Sequence, residues 1–470
     1  MTSVKSRTTG LTFLLLAVGA ATFSLLQSLL SPVLSTLQHE LDTTQNAVSW
    51  VLIAFLLASA VATPILGRVG DIIGKVRTLV IALGAIIVGS LIAGLAPNIE
   101  ILVLGRVFQG LGAAIFPISY GIIRDEFPAD RVASAVGTMS SVIAVGGGFG
   151  AVLAGPIVGL LGWRWLFWLP VIIVAVVAIL AKRFIPESPV RTGGRINWLA
   201  AALLAGWLVT LLLPLSQGTQ WGWTSPAVIG SFIASAIIAT IWLAVETRSA
   251  NPLIDMRIMR LRPVWATNLV ALLFGASMFA VWAFLPQLVQ VPTAAGYGFG
   301  ATVSGAGWVI LPMLITMAVA GMISGPLSSR VSFRSQLALG SALAAVSCLG
   351  FAFMHDSIWH LYVSSAIFGT GLGFAYATMT NIIVQTVPAS QTGAASGMNA
   401  NIRTIGGAMG TAIMTAIVTA HRQPGGFPEE QGFTIGFAVF ALVATIAIFV
   451  CLALPRPEPI VTSTVILAEA

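Results

Sequence analysis

The chain is a succession of apolar runs, each about 18 to 27 residues long and separated by short polar connections. The runs fall near 11–33, 47–66, 77–96, 100–122, 135–160, 165–183, 198–216, 226–246, 264–290, 300–325, 334–354, 359–385, 396–420 and 432–454. A helix needs that length to cross the hydrocarbon core of a bilayer. Lipid offers no water to open backbone groups, so helices must carry these segments. The expected fold class is therefore an all-α polytopic membrane protein with fourteen transmembrane spans. Composition agrees: 8% of the residues are charged and 57% hydrophobic, against roughly 25% charged in soluble domains. The first run, Leu11 to about Pro32, is too long for a signal-peptide core and lacks a small-residue cleavage site, so it is expected as a retained span.

Basic residues test the count. With the loops alternating in side, nineteen of the 22 Lys and Arg residues fall on one side, among them Lys5, Arg7, Arg191 and Arg456. Arg164 and Arg422 fall on the other, and Arg106 is left inside a span. The positive-inside rule then places both termini in the cytoplasm, for a multi-pass protein of the cell inner (plasma) membrane. The net charge of +7 follows from this topology, and no basic run is long enough for a nucleic-acid partner.

Several function classes lack residues. Cys348 and Cys451 both lie in expected spans without metal-like spacing and read as small apolar fillers. Three of the four His lie in outer loops and none pairs with a buried acid, so no enzyme site, metal or cofactor is expected. No GxxxxGK[ST] occurs, so any energy source is a gradient. The longest loop, about 247–263, is a basic connector too short for a soluble domain.

An offset of about 260 residues exposes an internal repeat. "GGGFG" at 146–150 aligns with "GGAMG" at 406–410, Gly137 with Gly397, "GLG" at 110–112 with "GLG" at 371–373, and Gly67 with Gly325. Glycine-rich membrane helices resemble one another because small residues allow close packing, but a common offset across separate motifs argues for duplication. The expected organisation is an N-terminal six-helix bundle (1–190), two inserted helices (191–250), a cytoplasmic connector (251–263) and a C-terminal six-helix bundle (264–470). Parallel repeats of this kind build transporters whose two bundles rock about a central site.

Three motifs sharpen this. "GRVGDIIGKVR", 67–77, joins spans 2 and 3 and resembles the loop signature of the major facilitator superfamily at Gly67, Asp71, Gly74, Lys75 and Arg77. Physically, its glycines allow a tight connection, and Asp71 can pair with a basic residue or cap a neighbouring helix in one conformation; a solvated charged turn is the plainer alternative. "LGRVFQGLGAA", 104–114, resembles the family's fourth-helix signature at Arg106, Gln109, Gly110, Gly112, Ala113 and Ala114. "GGGFGAVLAGPIVG", 146–159, resembles the fifth-helix signature of exporters. Its Gly146, Gly150, Gly155 and Gly159 are expected to pack closely against a partner helix, with Pro156 kinking the span. "WRWLFWLP", "SQGTQWGWTSP" and "NPLIDMRIMRLRP" also resemble the fourteen-helix drug:proton antiporter branch.

The resemblance implies a major facilitator fold, two six-helix bundles related by a pseudo-two-fold axis plus two inserted helices. It also implies a secondary active transporter exporting amphipathic or drug-like small molecules by alternating access. The expected partners are a small-molecule substrate, the lipid bilayer and protons as coupling ion, and a monomer is expected. One departure stands out. Members of that branch usually carry an Asp in the first helix, shortly before an "LP" step and tied to proton coupling or cation recognition, where "FSLLQSLLSP" has no acid. Instead Ser24, Gln27, Ser28 and Ser31 form a neutral stripe that can line a cavity or bond neighbouring helices. None of the fifteen acids falls near a helix midpoint.

Further candidates for substrate or coupling are Asn268, Trp282 and Gln287 on span 9, and Tyr376, Thr380 and Asn381 on span 12. Interhelical bonding is the plainer role for each. Asp125, Glu126 and Arg403 join the 67–77 loop as a candidate cytoplasmic gate. Arg106, with Gln109 on the same helix face, is the foremost candidate for coupling or substrate binding; snorkelling to the outer interface is its alternative. Its repeat-related position is Ile367, so the fold needs no charge there. The second functional reading is an exporter or exchanger of one neutral or anionic metabolite without classical proton antiport. A non-transport receptor finds no signalling domain in the sequence.

Overall fold

The computed structural model describes residues 2–190, 195–420 and 428–454. Arg191, Arg422, Arg456, Glu458 and Glu469, which enter the charge sorting, fall outside the described residues, as do 191–194 at the start of the expected inserted unit and 455–470 at the end of the expected C-terminal bundle. Fourteen helices among the described residues are long and apolar enough to cross a membrane. They are α1 (Thr2–Ser28), α2 (Gln45–Ile73), α3 (Lys75–Gly94), α4 (Ile99–Glu126), α5 (Ala129–Leu161), α6 (Trp165–Phe184) and α7 (Trp198–Trp221). After them come α8 (Pro226–Arg248), α9 (Arg262–Gln290), α10 (Val303–Leu327), α11 (Phe333–Phe353), α12 (Ile358–Thr386), α13 (Thr392–Ala420) and α14 (Glu430–Leu452).

Local chemistry sets the ends. Thr44, Asn98, Asn197, Ser225 and Ser332 accept from the first-turn amides of α2, α4, α7, α8 and α11. Several helices outrun their apolar stretches: α5 begins at Ala129 and α13 at Thr392, both earlier than the hydrophobic runs, because a helix continues past the hydrocarbon edge until a cap stops it. In α4 a 3-10 turn at Leu111–Ala114 tightens the chain in mid-span.

The packing repeats eight helices on. The pairs α1–α5, α1–α6, α2–α4, α3–α4 and α3–α6 of the first half recur as α9–α13, α9–α14, α10–α12, α11–α12 and α11–α14. Glycines mark equivalent crossings. Gly146 and Gly150 lie against the backbone of Ala21 and Leu25, and Gly406 and Gly410 lie against Leu272 and Ala276. The halves meet along α2–α13 and α5–α10, where Gly67 abuts Gly393 and Gly325 abuts Ala133. One alignment is corrected. Gly110 sits on the Phe55 carbonyl as Gly369 sits on that of Met313, a register that pairs Arg106 with Ser365 and not with Ile367. Ser365 is uncharged and fully buried.

The inserted helices pack on each other, with the Trp207 and Trp242 rings stacked 5.3 Å apart, and α7 lies against both α2 and α13. Arg68, Lys75, Arg77, Arg124 and Arg131 gather where α2 meets α3 and α4 meets α5, which defines the basic end of the bundle.

Candidate functional site

At the basic end, two helices start without caps of their own. The α3 helix follows Gly74, whose φ of +120° suits glycine, and no side chain of that residue can accept from the first turn. Glu187 accepts instead from the amides of Val76 and Arg77, both at 3.0 Å. A Cβ at Gly74 would lie 2.6 Å from the Glu187 carboxyl carbon. Across the halves, fully buried Asp71 accepts from Gly393 N at 3.2 Å and Ala394 N at 3.0 Å. A carboxylate on the positive end of a helix dipole is favourable, so Asp71 ties α2 to α13 as an N-terminal cap. Nearby, Lys75 Nζ pairs with Asp125 Oδ2 at 2.5 Å, both side chains buried, and Ser188 donates to the same oxygen. Lys75 also reaches the Ala389 carbonyl at 3.4 Å, while Arg124 donates to Val387 O at 2.6 Å and to Thr392 Oγ1 at 2.9 Å. The hydrogen bonds between the halves thus gather at the basic end, and Ser141 Oγ to Ala318 O at 2.7 Å carries them towards mid-span. Arg77 is an exposed neighbour, 3.9 Å from Glu187, and Glu126 ends α4.

Beyond this closed end lies a cavity of about 110 Å³ between the halves, small beside the roughly 300–1,000 Å³ of a drug-sized site. Gln27 of α1, Ser59 and Thr63 of α2, Tyr120 of α4, Tyr376 and Thr380 of α12, and Ser396, Asn399, Asn401 and Arg403 of α13 line it. Phe23, Phe116, Ile143 and Phe279 form its apolar wall. No acid is among the lining residues.

Arg403, expected at the gate, lies on this cavity wall and is not among the contacts given above at the basic end. Because α13 begins at Thr392, Arg403 stands roughly 17 Å along it at 1.5 Å per residue, level with Gly275 near the middle of α9. Its guanidinium lies over the Tyr376 ring, 4.1 Å from the centroid.

Arg106 behaves otherwise. It is fully buried inside the first half and neither snorkels nor touches the cavity. Nε donates to Val51 O at 3.0 Å, and Nη1 to Leu26 O at 3.3 Å and Gln109 Oε1 at 2.6 Å. The Phe55 ring covers it at 4.0 Å, and Gln109 passes the network on to Ser90 at 2.7 Å. Four helices are thereby joined through one cation.

Other candidates disperse. Ser24 donates to Ile143 O at 2.8 Å, binding α1 to α5; Ser28 bonds carbonyls of its own helix; Ser31 is exposed. Only Gln27 of that stripe reaches the cavity. Asn268 accepts from Asn399 at 2.9 Å behind the wall, Asn381 donates to Ala133 O at 3.2 Å and ties α12 to α5, Trp282 packs against the second-half core, and Gln287 is exposed. In the fifth-helix motif, Gly146 and Gly150 pack on α1. Gly155 and Gly159 have no atom within 4 Å of a would-be Cβ, and Pro156 is exposed. Close packing is thus confined to half of that motif.

Sequence reading missed Glu187, Ser188, Arg124, Tyr120 and Ser396. The signal for Glu187 was available: a helix entered through Gly with no acid in its first turn needs an acceptor from elsewhere.

The sequence profile of the Major Facilitator Superfamily matches residues 16–411 and 267–465. "Multidrug resistance protein 3" of Bacillus subtilis is 27% identical over 376 residues, covering 79% of this chain and 72% of the relative. The "Tetracenomycin C resistance and export protein" of Streptomyces glaucescens is 27% identical over 433 residues, covering 89% and 77%. Among solved structures, the human organic anion transporter MFSD10 superposes with a TM-score of 0.66 at 14% identity, covering 95% of this chain and 99% of that one.

Proposed function

The chain belongs to the major facilitator superfamily, and from that premise we propose that it is a secondary active transporter exporting amphipathic or drug-like small molecules by alternating access. In this reading the basic end faces the cytoplasm of a cell whose inner (plasma) membrane holds the protein. The units 1–190 and 264–470 rock against each other, and 191–250 and 251–263 follow them. Relatives named for multidrug resistance and for export support the direction and the substrate class.

The observation that carries the reading is the cavity between the halves, closed at one end by Asp71 capping α13. A cap made by one carboxylate on two amides is a contact that can be made and broken without unfolding either half. The cavity wall has no carboxylate, so we place proton coupling at the basic end: protonating Asp71 removes the charge that holds the α13 terminus. Purified protein in liposomes under an imposed pH gradient tests this by simultaneous measurement of solute flux and proton movement. Gradient-driven flux with proton counter-movement is expected. Flux indifferent to collapse of the gradient sinks the proton coupling, and absence of flux for every solute sinks the transporter reading. The metabolite-exporter reading gains from the same acid-free wall, which carries a cation in Arg403.

A further inference from the structure

A generic apolar pocket has no use for Arg403. That residue lines the cavity level with the middle of α9 and makes neither hydrogen bond nor ion pair among the described residues; the Tyr376 ring lies beneath its guanidinium, and Tyr120 is near enough to interact with its charge. A buried cation is costly unless an anion or several acceptors answer it, as three acceptors answer Nε and Nη1 of Arg106 and leave its Nη2 unpartnered. Two further groups on the same wall await partners. Asn401 is 1% exposed and neither its amide nitrogen nor its oxygen bonds the protein, and Ser396, 6% exposed, has an unbonded hydroxyl. Buried polar atoms in such a state favour a ligand that supplies what they lack.

The charges agree on a sign. With no acid on the wall, an organic cation entering the cavity would meet a like charge, while a carboxylate would meet a guanidinium fork. The aromatic wall of Phe23, Phe116 and Phe279 suits an apolar body, and the small volume excludes a two-chain lipid.

Resting on the transporter reading above, we propose that the central cavity selects small amphipathic organic anions, with Arg403 binding the anionic group and Ser396 and Asn401 supplying further hydrogen bonds. Charge recognition then lies on the second half alone, on about two turns of α13, and the apolar body spans to the first half.

The test compares phenylacetate, its neutral isostere phenylacetamide and the cation 2-phenylethylamine, bound to the full-length protein in phosphatidylcholine nanodiscs and followed by ligand-observed NMR. The acid is expected to bind at least about tenfold more tightly than the amide, and the amine most weakly. Arg403→Gln should bring the acid down to the level of the amide and leave the amide unchanged, and Arg403→Lys should retain part of the preference as a point charge without the fork. Equal binding of acid and amide, tightest binding of the amine, no binding of the acid, or a loss of acid and amide alike in Arg403→Gln overturns the proposal. Counterflow of the same three compounds in proteoliposomes separates the two readings. Acid-selective binding without flux keeps the anion site and removes the transporter; flux of the amine without the acid keeps the transporter and removes the anion site.

Discussion

Two arginines lie deep in the spans, one in each half, and their surroundings differ in kind. Arg106 is enclosed by Val51 O, Leu26 O, Gln109 and the Phe55 ring, all within its own half. Arg403 has one ring below it and the cavity in front. A cation whose acceptors belong to its own bundle acts as a fastener, since it would be lost only with the bundle. A cation on the surface between two bundles is free to answer something that comes and goes. In the proposed transport cycle the same division runs through the molecule: contacts inside a half would carry stability, and contacts between halves would carry change of shape.

The sharpest way to break that division is to remove each guanidinium. Arg106→Ala should cost about 3 kcal/mol or more, because Gln109 and two buried carbonyls lose a charged donor, and should lower both melting temperature and the yield of monodisperse protein. Arg403→Ala should leave the melting curve nearly unchanged while abolishing acid binding. Equal melting shifts in the two variants would erase the distinction. Next in size is Gly150→Ala, inside the first half, where a Cβ would meet Ser28 Oγ and stand 2.7 Å from the Leu25 carbonyl. Overpacking of this sort costs about 1–3 kcal/mol, read as a lower melting temperature.

Between the halves, Asp71→Asn should weaken the cap on α13 by about 1–2 kcal/mol, a shift of roughly five- to thirtyfold in the closed population. A cysteine at Ser396, on the cavity wall, would report it through faster alkylation from the basic end, with native Cys348 and Cys451 both fully buried and silent. An unchanged alkylation rate would remove Asp71 from the gate. Smallest of all, Gly155→Ala should change melting by at most about 1 kcal/mol and in the stabilising direction, since nothing lies within 4 Å and alanine favours the helix. A large loss there would mean that the outer part of α5 has a partner the described residues do not supply.

Much of this was legible in the sequence because bilayer physics leaves little choice. Run length sets the spans, and the repeat at about 260 residues anticipated the matched crossings at Gly146 with Gly406 and Gly67 with Gly325. The capping option for Asp71 was legible too, since a short carboxylate beside glycines suits a helix terminus. Depth was not. Arg403 sits close to the start of an apolar run, yet packing sets it level with Gly275, near the middle of α9, and no run of residues in α13 announces that register. Nor can periodicity tell which face of a glycine- and serine-rich helix meets a neighbour: Ser24 and Gln27 are three residues apart, and one serves packing while the other faces the cavity. Arg106 looked exceptional as a lone charge, but its acceptors come from two other helices and a nearby glutamine, and no linear pattern announces carbonyls.

The inserted pair has a consequence for the bilayer. On one flank, Ala201, Leu204 and Leu208 of α7 pack in one apolar cluster with Ala60 of α2 and Met398 and Ile405 of α13, so protein covers that meeting line of the halves. On the other flank, along α5 and α10, Phe149, Val152, Trp308 and Ile315 remain 59%, 64%, 62% and 54% exposed. The molecule is thus two-sided in the membrane plane. One seam leaves its apolar side chains exposed, and the other is covered by a helix that touches both halves and, in the proposed cycle, would have to follow them both.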